Sequence, residues 1–150
     1  NRITILIEKN FDGLCPQPGQ YKKNELDIIQ FCDSVLLNVT NYMKELKIHD
    51  ALEITFSLIR EINKYLEIKK PWKLVKENKS PESEAATSLY VSAELLRISS
   101  ELLMPFIPEK AKITLDHLSQ NVGNKLEFGL LKPNTKIKSP GVLFPRIDND

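Results

Sequence analysis

The chain is 150 residues long, 41% hydrophobic and 27% charged, with a formal net charge of +1. That length suits one domain with a core of its own, and the near-neutral balance excludes binding a polyanion by overall charge, so a nucleic-acid site has to come from a local cluster of cations. Two cysteines without a CxxC pair or nearby His spacing argue against a disulfide scaffold or a zinc site, and no apolar run reaches the ~20 residues of a membrane span. A reducing, cytoplasmic compartment is the simplest expectation, and no signal peptide is visible.

Apolar periodicity begins at once with Ile3, Leu6 and Ile7, without a cap. The start therefore reads as the tail of a helix over 1–9, cut from something longer. Asn10-Phe11-Asp12-Gly13 breaks it, and Pro16, Pro18 and Gly19 make the next segment an extended loop. Leu26, Ile29, Val35, Leu36, Val39, Met43 and Leu46 recur at helical spacing and predict a long helix from Lys22 to Lys47. Asp50, with Glu53 three residues on, predicts a capped start for a helix running to about Ile68, which Pro71 stops. After a polar linker at 76–79, Ser80 as cap, Pro81 and Glu82 predict a helix start, and an Ala- and Leu-rich helix follows to about 103. A proline corner at 104–108 leads to a shorter helix ending near Gln120.

From Gly123 the chain is rich in Gly and Pro. The expected architecture is all-α: a helical bundle over residues 1–122 and an irregular C-terminal arm over 123–150, in one domain.

Enzyme motifs are missing. There is no GxxxxGK[ST] loop, GxGxxG, HExxH or GxSxG. His49 and His117 fall far apart on different predicted helices and read as surface residues. Cys15 sits in a Pro-rich loop with no base near it in sequence, and Glu82/Glu84 and Asp148/Asp150 read as solvated charges. No catalytic residue and no metal ligand is assigned.

Trp72, the only tryptophan, lies in Lys69-Lys70-Pro71-Trp72-Lys73. An indole held at a helix end among cations suits stacking on an unpaired base while lysines attract phosphate. The alternative is a half-buried ring that closes the end of the bundle. Asn63 lies nine residues earlier, about two helical turns before the break. Its amide offers a donor and an acceptor to a base edge, or is simply a polar helix surface. Lys64, Lys69, Lys70 and Lys73 complete the candidate set; lysines alone are as readily a solvated face.

Leu58-Ile59-Arg60-Glu61-Ile62-Asn63-Lys64-Tyr65-Leu66 followed by Lys70-Pro71-Trp72-Lys73-Leu74 resembles the anticodon-binding helical domain of class I aminoacyl-tRNA synthetases, where a pattern close to N-x-Y…P-W-x-L occurs. Leu102-Leu103-Met104-Pro105-Phe106-Ile107-Pro108 is similar to the L-x-P-F-x-P corner of the same family. The start from Asn1-Arg2 to Phe11-Asp12-Gly13 and the ending Leu143-Phe144-Pro145-Arg146-Ile147 narrow the resemblance to methionyl-tRNA synthetases. These pieces span nearly the whole chain in order.

The resemblance implies a reader of the CAU anticodon of methionine tRNA, with Trp72 stacking on an anticodon base. It also implies that Arg2 contacts bases as one half of an Asn-x-x-x-Arg pair whose asparagine falls before residue 1. Asn63 would lie on the anticodon-facing helix. The catalytic domain of the family, with its ATP and possible zinc, has no counterpart here, so this chain alone is expected to be inactive and to need no cofactor. Expected partners are methionine tRNA and the enzyme's own catalytic domain, with neither DNA nor membrane. A sister synthetase for isoleucine, valine, leucine or cysteine, and a helical protein–protein module, are the alternatives. Leu143, Phe144 and Ile147 are expected to pack between domains, or to cover the bundle.

Overall fold

The computed structural model describes residues 2–138. Its helices are α1 (Arg2–Asn10), α2 (Lys23–Lys44), α3 (Ile48–Lys69), α4 (Pro71–Glu77), α5 (Glu84–Leu103) and α6 (Pro108–His117). Strand pairing among the described residues is limited to an isolated antiparallel bridge between Leu14 and Lys136.

The helices follow from where apolar residues fall. Ile28, Cys32 and Val35 of α2, and Ala51, Thr55, Leu58, Ile62 and Tyr65 of α3, recur every three or four residues and form buried stripes. The two helices pair as a hairpin whose turn includes Leu46 at φ +60°. Helix α5 differs: 17 of its 20 residues are buried, so it has no solvent face to keep polar. It packs against each of the other five helices and forms the axis of the bundle. Its Ala and Ser residues let neighbours approach closely, and fully buried Leu89, Leu95 and Ile98 contribute about 1.5–3 kcal/mol each.

Buried charges tie the layers together. Glu25 of α2 accepts a 2.7 Å bond from the Tyr65 hydroxyl of α3 and pairs with Lys69 at 3.3 Å, and its other oxygen accepts the Lys22 backbone N–H. On α5, Glu94 and Arg97 form a fully buried pair at 2.6 Å. Their remaining hydrogen-bonding capacity holds the C-terminal segment: Arg97 donates to the Lys125 and Glu127 carbonyls, and Glu94 accepts the N–H groups of Gly129 and Leu130. Glu101 accepts from Gly123 and Asn124, and the Tyr90 hydroxyl donates to Leu131. The described part of the arm is thus fastened along one face of α5. Leu143, Phe144 and Ile147 lie outside the described residues.

Several local expectations are corrected. Asp50 is not a cap: the chain leaves its turn at Leu46, Lys47 takes the cap position, and Asp50 sits inside the first turn of α3. Ser80 does not cap α5. Ser83 does, accepting the Ala86 N–H at 3.1 Å. The reason is tertiary: the Glu82 N–H bonds the Gln17 carbonyl, and Gly19 packs so tightly on Glu82 that a Cβ there would come within 2.4 Å of its carbonyl oxygen. This docking draws 80–82 out of the helix and leaves Glu82 at φ +63°. His117 is buried rather than on the surface, and its carbonyl accepts the Lys138 N–H.

Candidate nucleic-acid interface

Pro71 both ends one helix and starts the next. Lys70 adopts the left-handed conformation at φ +49° and closes α3, and Pro71 then opens α4, the short helix that carries Trp72. Proline at the first helical position lacks only an N–H that the helix does not use, and its φ is already helical. The sequence reading, with Pro71 as a plain stop before a linker, missed α4. Its seven residues are too few for periodicity to register.

Trp72 is half-buried, one part of the ring packed on the core. The Arg2 guanidinium lies over the ring, 3.9 Å from its centroid, and an Arg2 nitrogen lies 3.9 Å from the Glu67 carboxylate. Both charged side chains are well exposed, so the ion pair contributes little and the cation–π contact about 0.5–1 kcal/mol. The structure therefore brings Arg2 and Trp72 into direct contact, although 70 residues separate them in sequence.

Asn63 is exposed on α3 and shares a cleft with Arg2. Lys64, next to it and exposed, lies 3.4 Å from Glu61. Lys70 and Lys73 are exposed at the α3–α4 junction. Lys69 is the exception among the flanking lysines. Its side chain is 7% exposed and is bound to Glu25 at 3.3 Å and Glu84 at 2.7 Å. Burial works against its charge, but the bonds from Glu84 and Glu25 outweigh that and raise its pKa. Lys69 joins three helices and is not free to meet phosphate.

The cleft, about 370 Å³, opens between α1, α3, α5 and α6. Its polar wall includes Arg2, Asn63, Ser99, Lys110 and Thr114, and its apolar wall Ile62, Leu96 and Leu103. No carboxylate lines it. Sequence reasoning found Arg2 and Asn63 but not Ser99, Lys110 or Thr114, which carry no local signal of their own. Among the described residues no cluster of His, Cys, Asp and Glu could hold a metal, and no helix is long and apolar enough to cross a membrane.

The all-α bundle with this end face is of the anticodon-binding class. The family model described as the anticodon binding domain of methionyl tRNA ligase matches residues 15–150, and the chain belongs to that family. It is 35% identical over 152 residues to the methionine–tRNA ligase of Caldanaerobacter subterraneus subsp. tengcongensis, covering 99% of this chain and 24% of that one. It is 32% identical over 150 residues to the Mycobacterium tuberculosis ligase, covering 97% and 29%. The apo crystal structure of Mycobacterium tuberculosis methionyl-tRNA synthetase superimposes with a TM-score of 0.83 at 32% identity, over 99% of this chain and 31% of that one. The chain thus spans less than a third of the length of these relatives.

Proposed function

We propose that this domain reads the CAU anticodon of methionine tRNA on behalf of a methionine–tRNA ligase. The observation that carries the reading is the Trp72 ring at the α3–α4 junction, stacked by Arg2, which itself shares a cleft with Asn63, in a chain of this family. Trp72 supplies a stacking surface for an unpaired base, worth ~1–3 kcal/mol with little base preference. Arg2 and Asn63 supply donors and an acceptor for base edges, where an unmatched buried group costs ~1–3 kcal/mol. Lys64 and Lys70 add salt-sensitive attraction to phosphate.

Methionine activation, ATP use and any zinc belong in this reading to the catalytic domain of the longer protein, working in the cytoplasm. The partners are the anticodon loop and that catalytic domain. Titration of the chain with an anticodon-stem hairpin carrying CAU, and with one carrying a permuted anticodon, tests the reading. The CAU hairpin is expected to bind more tightly, with affinity falling steeply as salt rises. Equal affinity for both would overturn base reading, and salt-independent binding would favour a protein-docking surface instead.

A further inference from the structure

We infer that Lys69 is a positioning residue for the Trp72 platform: gripped by Glu25 of α2 and Glu84 of α5, its side chain fixes where α3 ends and therefore how α4 holds the indole. The inference rests on the anticodon reading and goes beyond it, because it gives a lysine that meets no phosphate control over how tightly a base stacks.

Lys69 is the last residue of α3, one turn of chain before Trp72. Its ammonium lies 2.7 Å from Glu84, in the first turn of α5, and 3.3 Å from Glu25. Glu25 is itself held in place: its side chain is 2% exposed, the Tyr65 hydroxyl donates to it, and so does the Lys22 backbone N–H. Charge-assisted bonds to a carboxylate fixed in this way are short and directional, so three helices meet at one ammonium.

The backbone just beyond this anchor is strained. Lys70 has φ +49° and ψ +61°, a conformation that a residue with a side chain holds only where its surroundings impose it. Lys69 is anchored on one side of it, and Pro71 and Val75 are buried on the other. Helix α4 has seven residues, too few to be stable alone, so its direction comes from this junction and from that packing. Without the Lys69 charge, Glu25 and Glu84 lose their shared cation and repel each other. The end of α3 then loosens, and the half-buried indole presents a less fixed surface to a base.

The test uses the 150-residue chain, the CAU hairpin and the fluorescence of Trp72, the only tryptophan. Lys69→Met removes the charge but keeps a long side chain, and Lys69→Arg keeps the charge. Glu84→Gln loosens the same grip from a half-exposed carboxylate, and it serves should Lys69→Met not fold. With helical circular dichroism unchanged, Lys69→Met is expected to weaken hairpin binding about tenfold and to leave the salt slope at its wild-type value. It should also move Trp72 emission in the free chain to longer wavelength. Glu84→Gln should lose about threefold. Lys69→Arg should bind within about twofold of wild type. In a Trp72→Ala background, Lys69→Met should cost less than about twofold further, because its effect runs through the ring. Wild-type affinity in both Lys69→Met and Glu84→Gln overturns the inference. A salt slope reduced by ~0.7 also overturns it, because Lys69 would then touch phosphate. An undiminished loss in the Trp72→Ala background does the same, because the effect would then be a general loosening of the fold. If the wild type binds no hairpin, the anticodon reading falls; a shifted Trp72 emission in Lys69→Met still supports the positioning role, and an unshifted one removes it too.

Discussion

The Arg2 guanidinium, in the first turn of α1, stacks 3.9 Å above the centroid of Trp72, in the first turn of α4. One face of the ring is therefore covered by a cation when no RNA is present. A base that stacks on Trp72 must displace that guanidinium or settle so that both groups contact it. Either way Arg2 and Trp72 act as one unit, and the weak ion pair to Glu67 leaves Arg2 free to move.

Trp72→Ala is expected to weaken CAU-hairpin binding more than about tenfold, the loss of one stacked base. The fold should survive, because the ring is only half-buried. Binding isotherms together with far-UV circular dichroism check both parts. As the only tryptophan, Trp72 should also report hairpin binding by its own fluorescence.

Arg2→Ala should expose the indole and make its fluorescence more readily quenched by acrylamide in the free chain. It should also weaken CAU-hairpin binding while leaving the slope of log affinity against log salt nearly unchanged, since a base-edge contact neutralises no phosphate. Arg2→Lys is not expected to restore wild-type behaviour, since a point charge replaces a planar fork that can stack. Identical quenching in Arg2→Ala and wild type would mean that the guanidinium does not shield the ring in solution.

Glu94→Gln leaves Arg97 buried with no counter-charge and weakens the acceptor for the Gly129 and Leu130 N–H groups. Breaking such a pair costs about 3–5 kcal/mol. Urea unfolding should show the lower midpoint, and hydrogen exchange should show segment 123–131 losing protection first. A change below about 1 kcal/mol would show that the pair is not the main fastening of the arm.

Alkaline pH should destabilise the fold. Desolvation first, then Glu94, pushes the Cys15 thiol up from 9.0 to about 12; desolvation, then Asp33 and Glu94, raises Cys32 likewise to about 12. Both stay protonated in the fold while the unfolded chain ionises from pH 9, so stability is present below 9 and is lost as pH rises towards about 12. Lys69, also raised, adds loss in the same direction above its ordinary 10.5. Each thiol can contribute up to about 1.4 kcal/mol per pH unit in that window. Urea midpoints measured between pH 8 and 11 check the sign, and a midpoint that does not fall contradicts it. Consistently, neither thiol should react with a disulfide reagent at pH 8 until the chain is unfolded.

Much of the fold was legible in residue order. The stripes Ile28–Cys32–Val35 and Leu58–Ile62–Tyr65 recur at helical spacing, and Pro71 and Pro105 mark real corners. Trp72, Arg2 and Asn63 were named as candidates from the sequence, because their residue types and their order along the chain carry the resemblance. Less legible was anything that depends on a distant partner. The cap of α5 moved from Ser80 to Ser83 because the Gln17–Gly19 loop seizes Glu82, an interaction across more than 60 residues. Lys69 and Lys70 look alike in sequence, yet one is locked between Glu25 and Glu84 and the other is exposed.

The sequence by itself determined the helices, their main breaks and the chemical character of the end that carries Trp72, because helical periodicity and proline geometry act over a few residues. Only the tertiary structure decided that Arg2 covers the indole, that Lys69 is structural, and that Asn63 and Lys110 face one cleft. Those outcomes depend on how α1, α3, α5 and α6 pack around a shared axis, and burial and charge pairing are set by neighbours in space.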